Sequence, residues 1–209
     1  MKGILGLLRH KTRPDLGNES RDSLLFRTDY APLEAPGQPV VAWETRAAEI
    51  GAFQLDPDQG ARLLQQAWAD DKYMRPLEPD AIARMAHFFE FATVAADRDV
   101  IRQDEHGNYL VVLLSGGISV NRTQPWGERL RLAEVMPGEI LGEMSLLDSG
   151  IRFSACTTTS ECQVAVLSAQ ALDAMLDADA ALAANLILLL ARKLSLRMRV
   201  VSARLSDKK

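Results

Sequence analysis

The sequence predicts a mostly-β protein with flanking helices, and three observations carry that class. Between Phe88 and Ser168, short apolar or alternating runs follow one another with turn residues between them, the texture of an antiparallel sandwich or barrel. No helix-length apolar period interrupts those runs, which argues against a parallel α/β architecture. On either side of them, apolar residues recur at three and four, the helical spacing.

The elements follow in order. Residues 12–40 carry Pro14, Gly17, Asn18, Pro32, Pro36, Gly37 and Pro39 and read as an irregular linker, although Leu24-Leu25-Phe26 could seat on a partner. Order begins at Asp56-Pro57-Asp58-Gln59, a capping aspartate, a first-turn proline and a glutamine at the third position. The helix runs to about Asp70 with Ala61, Leu64, Ala67 and Trp68 on one face. A second start at Glu78-Pro79-Asp80 leads into the stripe Ile82, Met85, Ala86, Phe89. Residues 1–75 thus form an N-terminal segment, partly irregular with one helix, and residues 76–209 a β domain with a C-terminal helix.

The strands are expected at Phe89–Val94, Val100–Gln103, Tyr109–Leu114, Ile118–Val120, the run Leu130, Leu132, Val135, then Phe153–Thr158 and Val164–Leu167, with Asp104–Asn108 a turn. Ser168 caps a short helix with Leu172, Met175 and Leu176 on its apolar side. Asp179 caps a long one from Ala180 to about Leu205. Its centre, Leu186-Ile187-Leu188-Leu189-Leu190, is apolar all round and must bury more than one face. A twin helix from a second copy covers the other face most simply. The stripe Leu182, Leu186, Leu189, Lys193, Leu196, Val200 has coiled-coil spacing with Lys193 the polar exception.

Composition excludes several functions. The net charge is −4, against the basic face that broad nucleic-acid binding needs. The seven basic residues Arg192, Lys193, Arg197, Arg199, Arg204, Lys208 and Lys209 against Asp207 fit a cation-rich helix end favoured by the helix dipole. Cys156 and Cys162 are too few for a disulfide framework and read as reduced core thiols of a cytoplasmic protein. No run reaches the length of a membrane span. Met1–Arg9 is too short for a signal-peptide core and is at most a weak amphipathic anchor, so no membrane partner is expected. His10, His87 and His106 form no His-x-His pair, so no metal is expected, nor does any serine or cysteine have a nucleophile's context. The protein is not read as an enzyme.

One stretch carries chemistry: Gly138-Glu139-Ile140-Leu141-Gly142-Glu143-Met144-Ser145-Leu146-Leu147, with Arg152 close behind. Its parts fit a phosphorylated sugar. Gly142 lets the backbone approach a ligand. Glu143, acceptor-only when ionised, could take a ribose hydroxyl. Met144–Leu147 can form one helical turn whose first N–H groups face an anion. Arg152 offers a fork that matches two phosphate oxygens. Taken alone, the same residues read equally as a surface turn with an incidental ion pair.

The surrounding text resembles a known family. The pattern Gly107-x-Tyr109-x-Val111-x-Leu113-x-Ser115-Gly116, then Pro137-Gly138-Glu139, then Leu141-Gly142-Glu143-Met144-Ser145-Leu146-Leu147, then Arg152 with Ser154-Ala155, is similar to the cyclic nucleotide-binding domain of the catabolite activator and FNR-type regulators. The regulatory subunit of cyclic AMP-dependent protein kinase and cyclic nucleotide-gated channels share that domain. The resemblance runs from about Pro76 to Leu205. It implies an antiparallel, jelly-roll-like β-roll flanked by helices, with cAMP or cGMP as ligand. It implies that Glu143 holds the ribose 2′-hydroxyl, that Arg152 holds the cyclic phosphate, and that Gly142 and Met144 give backbone donors, within a cassette that includes Leu141 and Ser145. It places Arg197 and Met198 against adenine and pairs the long helices of a homodimer.

Two departures stand out. Phe153 occupies the position after the phosphate arginine, where the family has a small residue, and Ser154 follows one step later. The family's helix-turn-helix is not matched before Lys209, so no DNA contact is expected. The expected function is a non-catalytic sensor that signals through its long helix to a protein partner; the alternative is a ligand-free dimerisation module whose pocket Phe153 has spoiled.

Overall fold

The computed structural model describes residues 39–69, 71–74 and 80–206. The readings for residues 1–38, including Leu24-Leu25-Phe26, and for Glu78-Pro79 lie outside them.

Two antiparallel sheets form a β-roll. One has the order β4-β10-β7-β8, built from Asp99–Ile101, Ala155–Thr158, Ile118–Thr123 and Arg129–Val135. The other has the order β2-β3-β11-β6-β9, from Phe53–Gln54, Glu90–Val94, Cys162–Ser168, Tyr109–Ser115 and Ile140–Leu141. A parallel pair, β1 (Val40–Val41) with β5 (His106–Gly107), forms a separate two-stranded sheet. The helices are α1 (Trp43–Ile50), α2 (Pro57–Trp68), α3 (Ala81–Ala86), α4 (Glu143–Asp148), α5 (Ala169–Ala178) and α6 (Ala180–Ser206).

Strand β6 shows why the sequence there is apolar without alternation. Tyr109, Val111 and Leu113 point into the roll, with Val100, Ile118, Cys156 and Val164. Leu110, Val112 and Leu114 point the other way, under α2, α3, α5 and α6. Successive side chains of a strand face opposite sides, and here both sides are covered, so each position must be apolar. The opposite extreme is β8, the edge of its sheet, with six of its seven residues exposed.

Helix α2 starts as expected, with the Asp56 carboxylate accepting from the Gln59 N–H at 2.9 Å. Leu64 and Trp68 are fully buried in the helix-side core, with Ala61 and Ala67 packed against it. The Trp68 indole donates to the Gly138 carbonyl at 3.1 Å, so this helix also steadies the turn that leads into the cassette. Ser168 caps α5 by accepting from Ala171, and Asp179 caps α6 by accepting from Leu182.

Several expectations change. Helix α1 is a second helix in the part of the chain where one was expected; its C-cap Gly51 takes the left-handed φ of 65°. Residues 106–107, read as turn, are a strand, because their partner Val40–Val41 is remote in sequence. Strand β10 begins at Ala155, so Phe153 and Ser154 precede it. The stripe on α6 divides: Leu182, Leu186 and Leu189 are buried in their own domain, whereas Leu196 and Val200 are exposed. Lys193, its polar exception, has a partner in its own chain, Asp71 at 2.7 Å. Burial would raise the Asp71 carboxyl, but Lys193 and the N–H groups of Tyr73 and Met74 bring it below its ordinary value.

Candidate ligand-binding site

The cassette hangs on β6. Strand β9 pairs with it through Val111↔Leu141 and Val112↔Ile140. The chain then turns at Gly142, with φ 75° and ψ 9°, and enters α4. Glycine is required twice over. The left-handed region is costly for other residues, and an added Cβ would overlap Arg152 Nη1 and lie 2.8 Å from Ile101 Cδ1. Helix α4 ends at Ser149, also left-handed at φ 58°.

Arg152 is 3% exposed. Its backbone is pinned to the preceding loop: its N–H donates to Glu105 O at 2.8 Å, and its carbonyl accepts from Asp104 N–H at 2.9 Å. Its guanidinium donates from Nη1 to Gly142 O at 2.8 Å and from Nη2 to Tyr109 O at 2.6 Å. It lies 4.6 Å from the centre of the Tyr109 ring and against Gly107, where any Cβ would collide with it. Among the described residues no carboxylate is within ion-pair distance of it. Burial accordingly pulls this guanidinium below its ordinary value, offset in part by Tyr109, Cys156 and the more distant Glu143. Cys156, buried beside it, has its thiol pushed up to about 12 by that burial.

Glu143, also buried, is satisfied from the long helix. Arg197 donates from Nη1 to Glu143 Oε1, and from Nη2 to Ile140 O at 2.7 Å. Ser145 and Leu141 are buried in the cassette, and Met144 is exposed. Two cavities flank this region. One of about 390 Å³ is lined by His106, Asn108, Ser145, Ser149, Gln170 and Asp173 among others, and one of about 110 Å³ by Glu139, Ile140, Lys193, Leu196 and Arg197. Neither is lined by Glu143 or Arg152.

The structure therefore gathers Gly142, Glu143, Arg152 and Arg197 around one turn. It leaves Met198 exposed and Ser154 half-buried. Phe153 does not enter the space beside Arg152. Its ring is 56% exposed, the Arg122 guanidinium stacks 4.0 Å from its centre, and Arg122 also donates to its carbonyl. Sequence reasoning missed Arg46, which is fully buried on α1 and paired with Glu105 and Glu49. The signal was present in Trp43, Ala47 and Ile50 at helical spacing, ended by Gly51.

A β-roll carrying a glycine turn, an acid, a one-turn helix and a buried arginine defines the cyclic nucleotide-binding class of domain. Residues 92–179 match the family model described as cyclic nucleotide-binding domain, so the chain contains a domain of that family. A CRP-like cAMP-activated global transcriptional regulator of Mycobacterium tuberculosis is 28% identical over 118 residues, 56% of this chain and 53% of that protein. The cyclic AMP receptor protein of Thermus thermophilus is 30% identical over 118 residues, 56% of this chain and 55% of that protein. The chain spans about half the length of the curated relatives it matches. The crystal structure of a cyclic nucleotide-binding domain from Methylobacillus flagellatus superposes with a TM-score of 0.68 at 23% identity, covering 76% of this chain and 89% of that one, which bears on the fold alone. Among the described residues no group of three His, Cys, Asp or Glu side chains is placed to hold a metal ion, and no helix is long and apolar enough to cross a membrane.

Proposed function

We propose that this protein is a non-catalytic, cytoplasmic sensor that binds a cyclic nucleotide, cAMP foremost, and signals through α6. The observation that carries the reading is Arg152, a buried cation with carbonyls and a ring around it but, among the described residues, no counter-anion. Burying an unpaired charge is costly, and a cyclic phosphate would offset that cost. The ribose 2′-hydroxyl would then donate to Glu143. That carboxylate is held by Arg197, so ligand and long helix compete for one acceptor. A ligand that favours one of two helix positions shifts their populations, which would carry the signal to a protein partner. The relatives named as cAMP-activated and as a cyclic AMP receptor support the choice of nucleotide.

The exposed apolar residues Leu196, Val200 and Val201 on α6 support a homodimer through the outer half of that helix. Sedimentation at micromolar concentration tests this; a monomer throughout would remove it. A second reading, a ligand-free interaction module, is favoured by the way Glu143 and Arg152 already satisfy their hydrogen bonds within the chain. Calorimetric titration with cAMP and with cGMP decides between them. Saturable binding that Arg152→Ala weakens supports the sensor. Absence of heat and of thermal shift at millimolar nucleotide leaves the module.

A further inference from the structure

Helix α1 lies outside the segment that matches the family, yet it touches two supports of Arg152, Tyr109 and Glu105. Trp43, 3% exposed, meets the Tyr109 ring edge-on, with centroids 5.6 Å apart. That ring lies beneath the Arg152 guanidinium, and the carbonyl of the same residue accepts from it. The Tyr109 hydroxyl is itself fixed, donating to Val100 O at 2.7 Å. Arg46, one turn further along α1, is fully buried and pairs with the carboxylate of Glu105. The carbonyl of Glu105 takes the Arg152 N–H. Arg102, the residue after β4, braces the same cluster, 3.2 Å from Glu49.

We propose that α1 is a working part of the phosphate site, with Arg46 and Trp43 as positioning residues that hold Arg152 through Glu105 and Tyr109. Two side chains from one rigid helix grip both ends of the arginine's surroundings, the loop that pins its backbone and the ring that supports its fork. A guanidinium recognises a phosphate by a planar two-point geometry, so a small rotation loses one contact. The burial supports this economy. A fully buried arginine in a short helix has no use as surface charge; burial lowers its proton affinity, and Glu105 and Tyr109 more than restore it.

This inference rests on the sensor reading, and the test separates the two. Cyclic AMP is titrated calorimetrically into wild type, Arg46→Met, Arg152→Ala and the double variant. Arg46→Met is expected to weaken binding by about 3- to 30-fold, the range over which packed side chains modulate a site they do not touch. In the Arg152→Ala background it is expected to cost nothing further, because there is no fork left to aim. General loosening would weaken both backgrounds alike and would overturn the inference. So would unchanged affinity in Arg46→Met. Should Arg46→Met not fold, Glu105→Gln tests the same link from a side chain that is 30% exposed, with the same expectation and the same refutation. Failure of wild type to bind at millimolar nucleotide removes the sensor reading, and this inference with it; binding by wild type with no loss in the variants removes this inference alone.

Discussion

Replacing Arg197 by methionine distinguishes two roles for that residue by the sign of the effect. The methionine keeps the apolar stem on α6 and removes the guanidinium that holds Glu143. The glutamate side chain is 5% exposed and the arginine 46%. Fully exposed pairs contribute about 0.2–1 kcal/mol, and breaking a fully buried pair costs about 3–5 kcal/mol. A pair with one buried and one half-exposed member, discounted for solvent on the arginine, falls near 1–2 kcal/mol. If a ribose hydroxyl must displace Arg197, that energy opposes binding in wild type and is absent in the variant. Affinity for cAMP should then rise about 5- to 30-fold, at 1.4 kcal/mol per tenfold. The ligand-free variant should be less stable, melting about 2–8 °C lower for a chain of this size. Calorimetric titration at fixed salt and thermal melts of ligand-free protein read the two effects. Weaker binding in the variant would refute the competition and place Arg197 on the ligand, as the family resemblance does. Unchanged binding would refute both.

Gly142→Ala forces a Cβ into the left-handed turn and onto Arg152, so urea denaturation should show a loss of at least about 1–2 kcal/mol, with cAMP binding abolished. Phe153→Ser removes an exposed ring stacked on Arg122; stability should change by no more than about 1 kcal/mol, and cAMP affinity should stay within about twofold, whereas a large gain in affinity would mean that the ring obstructs the site. Asp71 titrates below its ordinary value in the folded state. Its contribution is therefore present above the ordinary carboxylate range and lost as pH falls through the folded value, and Asp71→Asn should flatten the acid limb of the melting curve. Cys156 titrates at about 12 when folded, so stability from its thiol is intact below its ordinary range and lost as pH rises from there towards 12; at pH 8 the native protein should resist alkylation at Cys156, and rapid labelling would contradict its burial.

The sequence makes the β-roll legible because most of its information is local. Asp56 and Ser168 announce their helices by side chains that accept from N–H groups three residues on, and β6 is legible as a run too apolar for a surface. What it hides is long-range. The strand at residues 106–107 exists only because Val40–Val41 lies beside it. The position of the Phe153 ring depends on Arg122, from β7, lying over it, and strand alternation alone does not supply that. Glycine, acid and arginine of the cassette are legible as residue types at fixed spacing. That Arg197 sits on Glu143 is not, since it depends on how far α6 reaches past the domain. Arg46 shows a harder limit: an arginine among alanines and glutamates reads as solvated, and only the fold reveals that both acids neutralise it from within.

Helix α6 buries one face along its first half and is exposed along its second, with the Lys193–Asp71 contact where the two halves meet. If the helix moves with the ligand, as proposed, that contact would serve as its fulcrum. The fourteen residues from Lys193 to Ser206 span about 20 Å at 1.5 Å per residue, so a tilt of about 10° at the pivot would swing the tip by roughly 3 Å. Arg197 lies barely one turn beyond the fulcrum, where a small displacement suffices to let go of Glu143. A short stroke at the cassette would thus arrive enlarged at the far tip.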